Sequence, residues 1–263
     1  MSNFNAFFEF IRFKIALFGV SLSALGFFLF NPSSNLFLIL ISSFSIVSAT
    51  YSFNQLTDKF EDKINKGKVN EFVENGKGEV VIFLTYFIGL VSSFMLGTFY
   101  YYFFMFLIAL SLFYSLFRIK KVIIVKNVYT AFMFNLLFLF GAGPSVSIQA
   151  YFYYLIISLV FFATSIIADL RDVKGDEEMN VITIPVKIGV EKTKKLIHLI
   201  FILTSYAIYL EKIIFLYPLF MSFFYSSYNL NKNRIKQAHS ALLLSFIILP
   251  LILLVLKNLN LVA

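Results

Sequence analysis

The chain contains no cysteine and no tryptophan. Without cysteine, disulfides, thiolate metal sites and cysteine nucleophiles are all excluded. Charge is scarce as well. Asp, Glu, Lys and Arg make up 14% of the 263 residues, against 60% apolar, far from the balance of a soluble domain. Proline is limited to five positions. Pro32, Pro144 and Pro218 fall at or near the ends of apolar runs, where a missing amide donor is tolerated.

The apolar residues are collected into long runs, and each matches the ~20 helical residues that cross ~30 Å of hydrocarbon. Nine spans are predicted, near residues 10–30, 35–53, 79–97, 99–117, 122–140, 150–168, 192–210, 212–230 and 238–257. Only Glu211 and Lys212 separate the seventh from the eighth. The first run follows Arg12 and Lys14 as a signal sequence would. It is too long for an ordinary h-region and lacks a small-x-small cleavage site, so it reads as a retained helix. The expected fold class is all-α: a polytopic membrane protein, one domain over 1–263, bundling nine transmembrane helices.

The connections differ in charge. Those after spans 1, 3 and 5 hold no Lys or Arg, whereas those after spans 2, 4, 6 and 8 hold 5, 4, 6 and 3. By the positive-inside rule the N-terminus and the even-numbered connections are cytoplasmic and the C-terminus lies outside, in a cell membrane. The net charge of +8 is thus gathered on one face, beside the membrane and any anion handled there. No basic run interleaved with aromatics suggests a nucleic-acid groove.

Acidic residues cluster after spans 2 and 6. Asn54, Asp58 and Asp62 follow one another at four-residue spacing, as do Asp172 and Asp176, with Asp169 one turn earlier. On a helix that spacing stacks the groups on one face, about 6 Å apart. Solvated helix ends are the plain alternative, but like charges at i,i+4 cost about 0.2–0.5 kcal/mol per pair and a helix C-terminus disfavours anions further. A multivalent cation relieves both costs. Hard oxygen donors point to Mg²⁺, which usually shares its shell with substrate phosphates and water. An offset of 114 residues relates Asp58 to Asp172, Arg118 to Lys232 and Lys120 to Arg234. This is a weak sign of a repeat, about 10–117 and 122–230, followed by a ninth helix. His198 and His239 lack metal spacing and read as interfacial packing. Gly141 to Pro144 reads as a turn, without the G-x-x-x-x-G-K-[ST] spacing of a phosphate loop.

At these residues the sequence resembles the UbiA superfamily of intramembrane prenyltransferases. That family carries N-x-x-x-D-x-x-x-D after helix 2 and D-x-x-x-D after helix 6 of a nine-helix bundle. Asn54, Asp58 and Asp62 match the first motif, and Asp172 and Asp176 the second. Gly175, Asp176, Thr183, Pro185 and Gly189 resemble its G-D…T-x-P-x-x-x-G tail. There are departures. Residues 66–71 replace an R-P-I-P-S-G-like segment, Thr164 to Ala168 replace R-E-x-x-K, and Arg12 to Ile15 replace R-P-x-N.

The resemblance implies that Asp58, Asp62, Asp172 and Asp176 bind one or two Mg²⁺ ions, with Asn54 and Asp169 supporting. The ions bridge an isoprenyl diphosphate, and Arg12, Arg118, Lys120, Lys121, Lys126, Arg171 and Lys174 neutralise the remaining phosphate charge. Tyr51, Tyr114 and Asn127 are expected beside the substrate channel. The expected function is Mg-dependent prenyl transfer to a hydrophobic or amphiphilic acceptor in the bilayer, in lipid or quinone biosynthesis. A geranylgeranylglyceryl phosphate-type ether lipid is slightly favoured over an aromatic quinone precursor. A cation transporter is the rival from another class, because acids at helix ends also coordinate carried ions, although these lie at the interface and not at mid-membrane. A non-catalytic membrane protein is the third reading, kept open by the departures.

Overall fold

Apolar runs with their backbone groups bonded internally are the economical way to place a chain in hydrocarbon, and that is what the chain forms. The computed structural model describes residues 3–59, 63, 69–117, 123–178 and 181–259. Among them the chain is helical throughout, with no strand. Eight helices among the described residues are long and apolar enough to cross a membrane. The helices cluster into two compact units, Met1–Arg118 with Phe140–Ser145, and Ile119–Leu139 with Val146–Ala263.

The first unit contains α1 (Asn3–Phe10), α2 (Phe13–Phe30), α3 (Leu36–Thr57), α4 (Glu71–Glu74), α5 (Lys77–Leu96) and α6 (Thr98–Leu116). The span predicted from residue 10 begins at Phe13, because the chain breaks at Arg12, a non-glycine residue in the left-handed conformation at φ 49° and ψ 48°. Helix α3 packs against α2, α5 and α6. Ser42, Ser43, Ser45, Ser48 and Ser52 are all buried on it, small side chains that let helices approach closely in an apolar medium. Gly89 of α5 serves the same end, since a Cβ there would overlap the Phe104 ring of α6. Gly141 lies so close to the Ser23 backbone of α2 that a Cβ would strike its carbonyl.

The second unit contains α7 (Val125–Ala142, through Leu139), α8 (Ile148–Glu178), α9 (Ile184–Ile188), α10 (Val190–Leu210), α11 (Pro218–Asn231) and α12 (Ile235–Asn258). Helix α8 is the centrepiece. Its 31 residues extend about 46 Å at 1.5 Å per residue, so its last ten or so residues project beyond ~30 Å of hydrocarbon and carry the second acidic cluster. Helices α10 and α12 pack against it. Residues 212–230, predicted as one span, form a 3₁₀ turn at Ile214–Leu216 followed by the 14-residue α11. The break follows from Lys212, which takes φ 50°, and from Pro218, which starts α11 and has no amide donor to continue the preceding turn.

Candidate functional site

In the first unit, Asn35 caps the start of α3, accepting from the Leu38 amide at 3.2 Å. At the other end the helix stops at Thr57, and Asp58 is its C-cap. The Asp58 amide still donates to the Asn54 carbonyl at 2.9 Å, so Asn54 and Asp58 sit one turn apart as their spacing predicts. Both are half-buried. Asn54 Oδ1 accepts from the Ser115 hydroxyl of α6 at 3.5 Å. Tyr51, one turn before Asn54, lies within electrostatic reach of Tyr114 and Arg12. The Arg12 Nε is buried and finds no hydrogen-bond partner among the described residues. Five expected residues (Arg12, Tyr51, Asn54, Asp58 and Tyr114) thus gather at this end of α3. Asp62, Arg118, Lys120 and Lys121 lie outside the described residues.

In the second unit the cluster stands on the projecting end of α8. Asp169 is 3% exposed, and both its carboxylate oxygens are engaged. Oδ1 accepts from Lys126 Nζ at 2.7 Å and Oδ2 from Asn127 Nδ2 at 2.8 Å. The Asn127 amide also donates to Ser165 at 2.9 Å. Asn127, expected beside a channel, is itself only 1% exposed and ties α7 to α8. Ser165 occupies one of the positions where the sequence departs from the family pattern, and here it holds Asn127.

One and two turns further on, Asp172 and Asp176 share a face. Asp172 is exposed and accepts two hydrogen bonds from Arg171, from Nε at 2.8 Å and a terminal nitrogen at 2.7 Å. That guanidinium lowers the Asp172 carboxyl below the usual range. Asp176 moves the other way, because partial burial raises it while Lys126 opposes the rise. Lys174 is exposed on the same projecting stretch. His239, at the start of α12, comes within electrostatic reach of Arg171 and Asp172. Nothing in its sequence position signals this, since the approach depends on how α12 packs against α8.

The tail after Asp176 explains its own composition. Thr183 precedes the short α9, Pro185 sits in its first turn, and Gly189 ends it at φ 86° and ψ 153°. That backbone region is almost exclusive to glycine, and α10 begins at the next residue. Lys194 of α10 is buried and donates to Glu191 at 2.6 Å and to Asn233 at 2.7 Å, pinning the chain just before α12.

No three acidic or histidine side chains converge on one point among the described residues. The donors are carboxylates and an amide at four-residue spacing, so a metal held by either cluster must complete its shell with substrate oxygens and water. Mg²⁺ binds in that way, and the residues therefore fit it.

Known proteins resemble this chain in sequence and in fold. The pattern of the UbiA prenyltransferase family matches residues 14–248. A digeranylgeranylglyceryl phosphate synthase of Methanococcus maripaludis is 28% identical over 225 residues, covering 82% of this chain and 79% of that protein. Among solved structures, a digeranylgeranylglyceryl phosphate synthase superposes with a TM-score of 0.68 at 20% identity, over 95% of this chain and 99% of the other. A UbiA homologue from Archaeoglobus fulgidus bound to GPP and Mg²⁺ gives 0.72 at 17% identity, again over 95% and 99%.

Proposed function

The chain belongs to the UbiA prenyltransferase family, and we propose that its acceptor is a geranylgeranylglyceryl phosphate-type ether lipid. It is a multi-pass membrane prenyltransferase. The observation that carries the acceptor reading is the similarity to a digeranylgeranylglyceryl phosphate synthase along 82% of the chain. Binding of GPP and Mg²⁺ by the Archaeoglobus homologue supports an isoprenyl diphosphate donor and Mg²⁺ as the metal. In this reading both acidic motifs act on the donor diphosphate, at the cytoplasmic surface that the charge pattern marks.

Asn54, Asp58 and Asp62 of the first motif and Asp172 and Asp176 of the second would hold Mg²⁺. A metal bound there would supply positive charge to the leaving group; the allylic C–O bond breaks and its electron pair leaves with diphosphate. Arg12, Lys126, Arg171 and Lys174, with Arg118, Lys120 and Lys121, neutralise the remaining phosphate charge where it develops. Asp169 holds the Lys126 ammonium at 2.7 Å while a third of the Lys126 side chain stays exposed. The acceptor hydroxyl oxygen then forms the new C–O bond and its proton is released.

The test is turnover of radiolabelled geranylgeranyl diphosphate by purified protein, with Mg²⁺ or with EDTA, offered a geranylgeranylglyceryl phosphate acceptor or an aromatic quinone precursor. Mg²⁺-dependent ether formation, lost in Asp58→Asn and in Asp172→Asn, is expected. Product only with the aromatic acceptor would reassign the acceptor. Turnover that survives both substitutions would remove the motifs from the chemistry.

A further inference from the structure

The break between α1 and α2 leaves a backbone group to be satisfied. Ile15 and Ala16 donate their amides to the Arg12 carbonyl, which opens α2. The Phe10 carbonyl, two residues before, instead receives Ser52 Oγ at 3.0 Å and Gln55 Nε2 at 2.7 Å. Phe10 is fully buried, Ser52 is 1% exposed and Gln55 8%, so the carbonyl is far from bulk water. Ser52 and Gln55 lie three residues apart on one face of α3, where side chains at that spacing are neighbours. They flank Asn54, and Asp58 follows one turn later.

The residue held by this arrangement is Arg12. A non-glycine residue in the left-handed region is strained and persists where its surroundings over-determine it. Here α1, just before Arg12, is held at two points. Phe10 is gripped from α3, and Asn70 Nδ2 donates to the Ala6 carbonyl of α1 at 3.0 Å while Asn70 Oδ1 caps α4 by accepting from Phe72 at 3.0 Å. The Phe10 and Phe72 rings stack at 5.6 Å. The outcome is a buried Arg12 Nε without a partner among the described residues, within electrostatic reach of Tyr51. A fixed cationic donor with hydrogen-bonding capacity to spare suits an anion with several acceptor oxygens.

We infer that Ser52 and Gln55 are positioning residues for Arg12: by holding the Phe10 carbonyl they fix the elbow that sets its guanidinium beside the first acidic motif, ready for the donor diphosphate. This rests on the proposed use of that motif for an isoprenyl diphosphate. It gives α3 two tasks on adjoining faces, Asn54 and Asp58 toward the metal and Ser52 and Gln55 toward the cation. The helix register couples the two.

The test is a double-mutant cycle between Arg12→Ala and Gln55→Leu, repeated with the milder Ser52→Ala in case the leucine variant folds poorly. The readouts are the Kd of geranylgeranyl diphosphate with Mg²⁺ in detergent, and KM and kcat where turnover is measured. Arg12→Ala is expected to weaken donor binding about ten- to a hundredfold, as loss of a charged hydrogen bond does. Gln55→Leu should weaken it roughly tenfold, with the effect in KM more than in kcat. In the Gln55→Leu background, Arg12→Ala should then cost about tenfold less than it does in wild type, because coupled residues are not additive. Ser52→Thr, which keeps the hydroxyl, should bind as wild type does. Losses that multiply independently would overturn the inference. So would a lowered melting temperature with unchanged Kd, which is the mark of a purely structural staple. Wild type that binds donor without turning it over would count against the transfer reading while the cycle still decides the elbow. No Mg²⁺-dependent donor binding by folded wild type would overturn both.

Discussion

The ammonium of Lys126 lies 2.7 Å from Oδ1 of Asp169, a residue of the next long helix and almost wholly buried. The other carboxylate oxygen is taken by Asn127, so Asp169 orders two consecutive residues of α7. The ion pair holds the Lys126 ammonium in place.

Asp169→Ala should therefore destabilise the protein. Removing one partner of a fully buried ion pair costs about 3–5 kcal/mol, and a third of Lys126 is exposed, so roughly half of that range is expected after solvent screening. Thermal unfolding in detergent measures it. Asp169→Asn keeps one acceptor and should lose less stability, but it should raise the donor KM because Lys126 is no longer tethered. A variant with unchanged KM would leave Lys126 without a part in donor binding.

Gly189→Ala and Gly141→Ala should both destabilise, for different reasons. At Gly189 a Cβ meets nothing within 4 Å, so the cost is backbone strain alone, about 1–3 kcal/mol. At Gly141 the Cβ strikes the Ser23 backbone, which cannot move aside as a flexible side chain would, so the helices must separate. Serine at either position should behave as alanine does. Equal melting temperatures for wild type and Gly189→Ala would show that the tail relaxes to another backbone conformation.

The two acids of the second motif should titrate apart. Asp172 is lowered by Arg171 and stays ionised below the usual carboxylate range. Whatever stability their pairing contributes is present above the unfolded carboxyl value and is lost as pH falls through the lowered folded one. Asp176 is raised by burial and takes up its proton first on acidification. Protons compete with metal for that carboxylate, so the Mg²⁺ concentration for half-maximal turnover should rise as pH is lowered into the carboxylate range. A Mg²⁺ requirement that does not change over that interval would take Asp176 out of the metal shell.

Lys194→Met should test the pin between α10 and the start of α12. The side chain is 6% exposed and its ammonium bonds Glu191 and Asn233. Methionine keeps the aliphatic volume and removes the charge, leaving Asn233 Oδ1 without that donor. About 1–3 kcal/mol of stability should be lost, with kcat preserved, since Lys194 has no place in the proposed chemistry. A variant as stable as wild type would show that helix packing alone positions this segment.

Several features were legible in one dimension because the physics behind them is local. Hydrocarbon thickness sets the length of an apolar run, so the helices of 18 or more residues could be placed by counting. The four-residue repeat of Asn54 and Asp58, and of Asp172 and Asp176, follows from helical pitch, and with the matching tail it was enough to suggest the family. Other features depend on which faces the helices turn toward one another. The break at Arg12 was hidden because nothing in Phe10 to Phe13 signals it, and its support comes from Ser52 and Gln55, more than forty residues later. The engagement of Asp169 with Lys126 and Asn127 was hidden for the same reason, since it depends on how α7 packs against α8. Residues 212–230 divide into a turn and a short helix through a left-handed Lys212, a backbone state that composition does not encode. Local hydropathy and pitch thus determined the class, the spans and the acidic motifs. Only the packing of one helix on another decided which polar groups are already engaged and which, like Arg12 Nε, have no partner among the described residues.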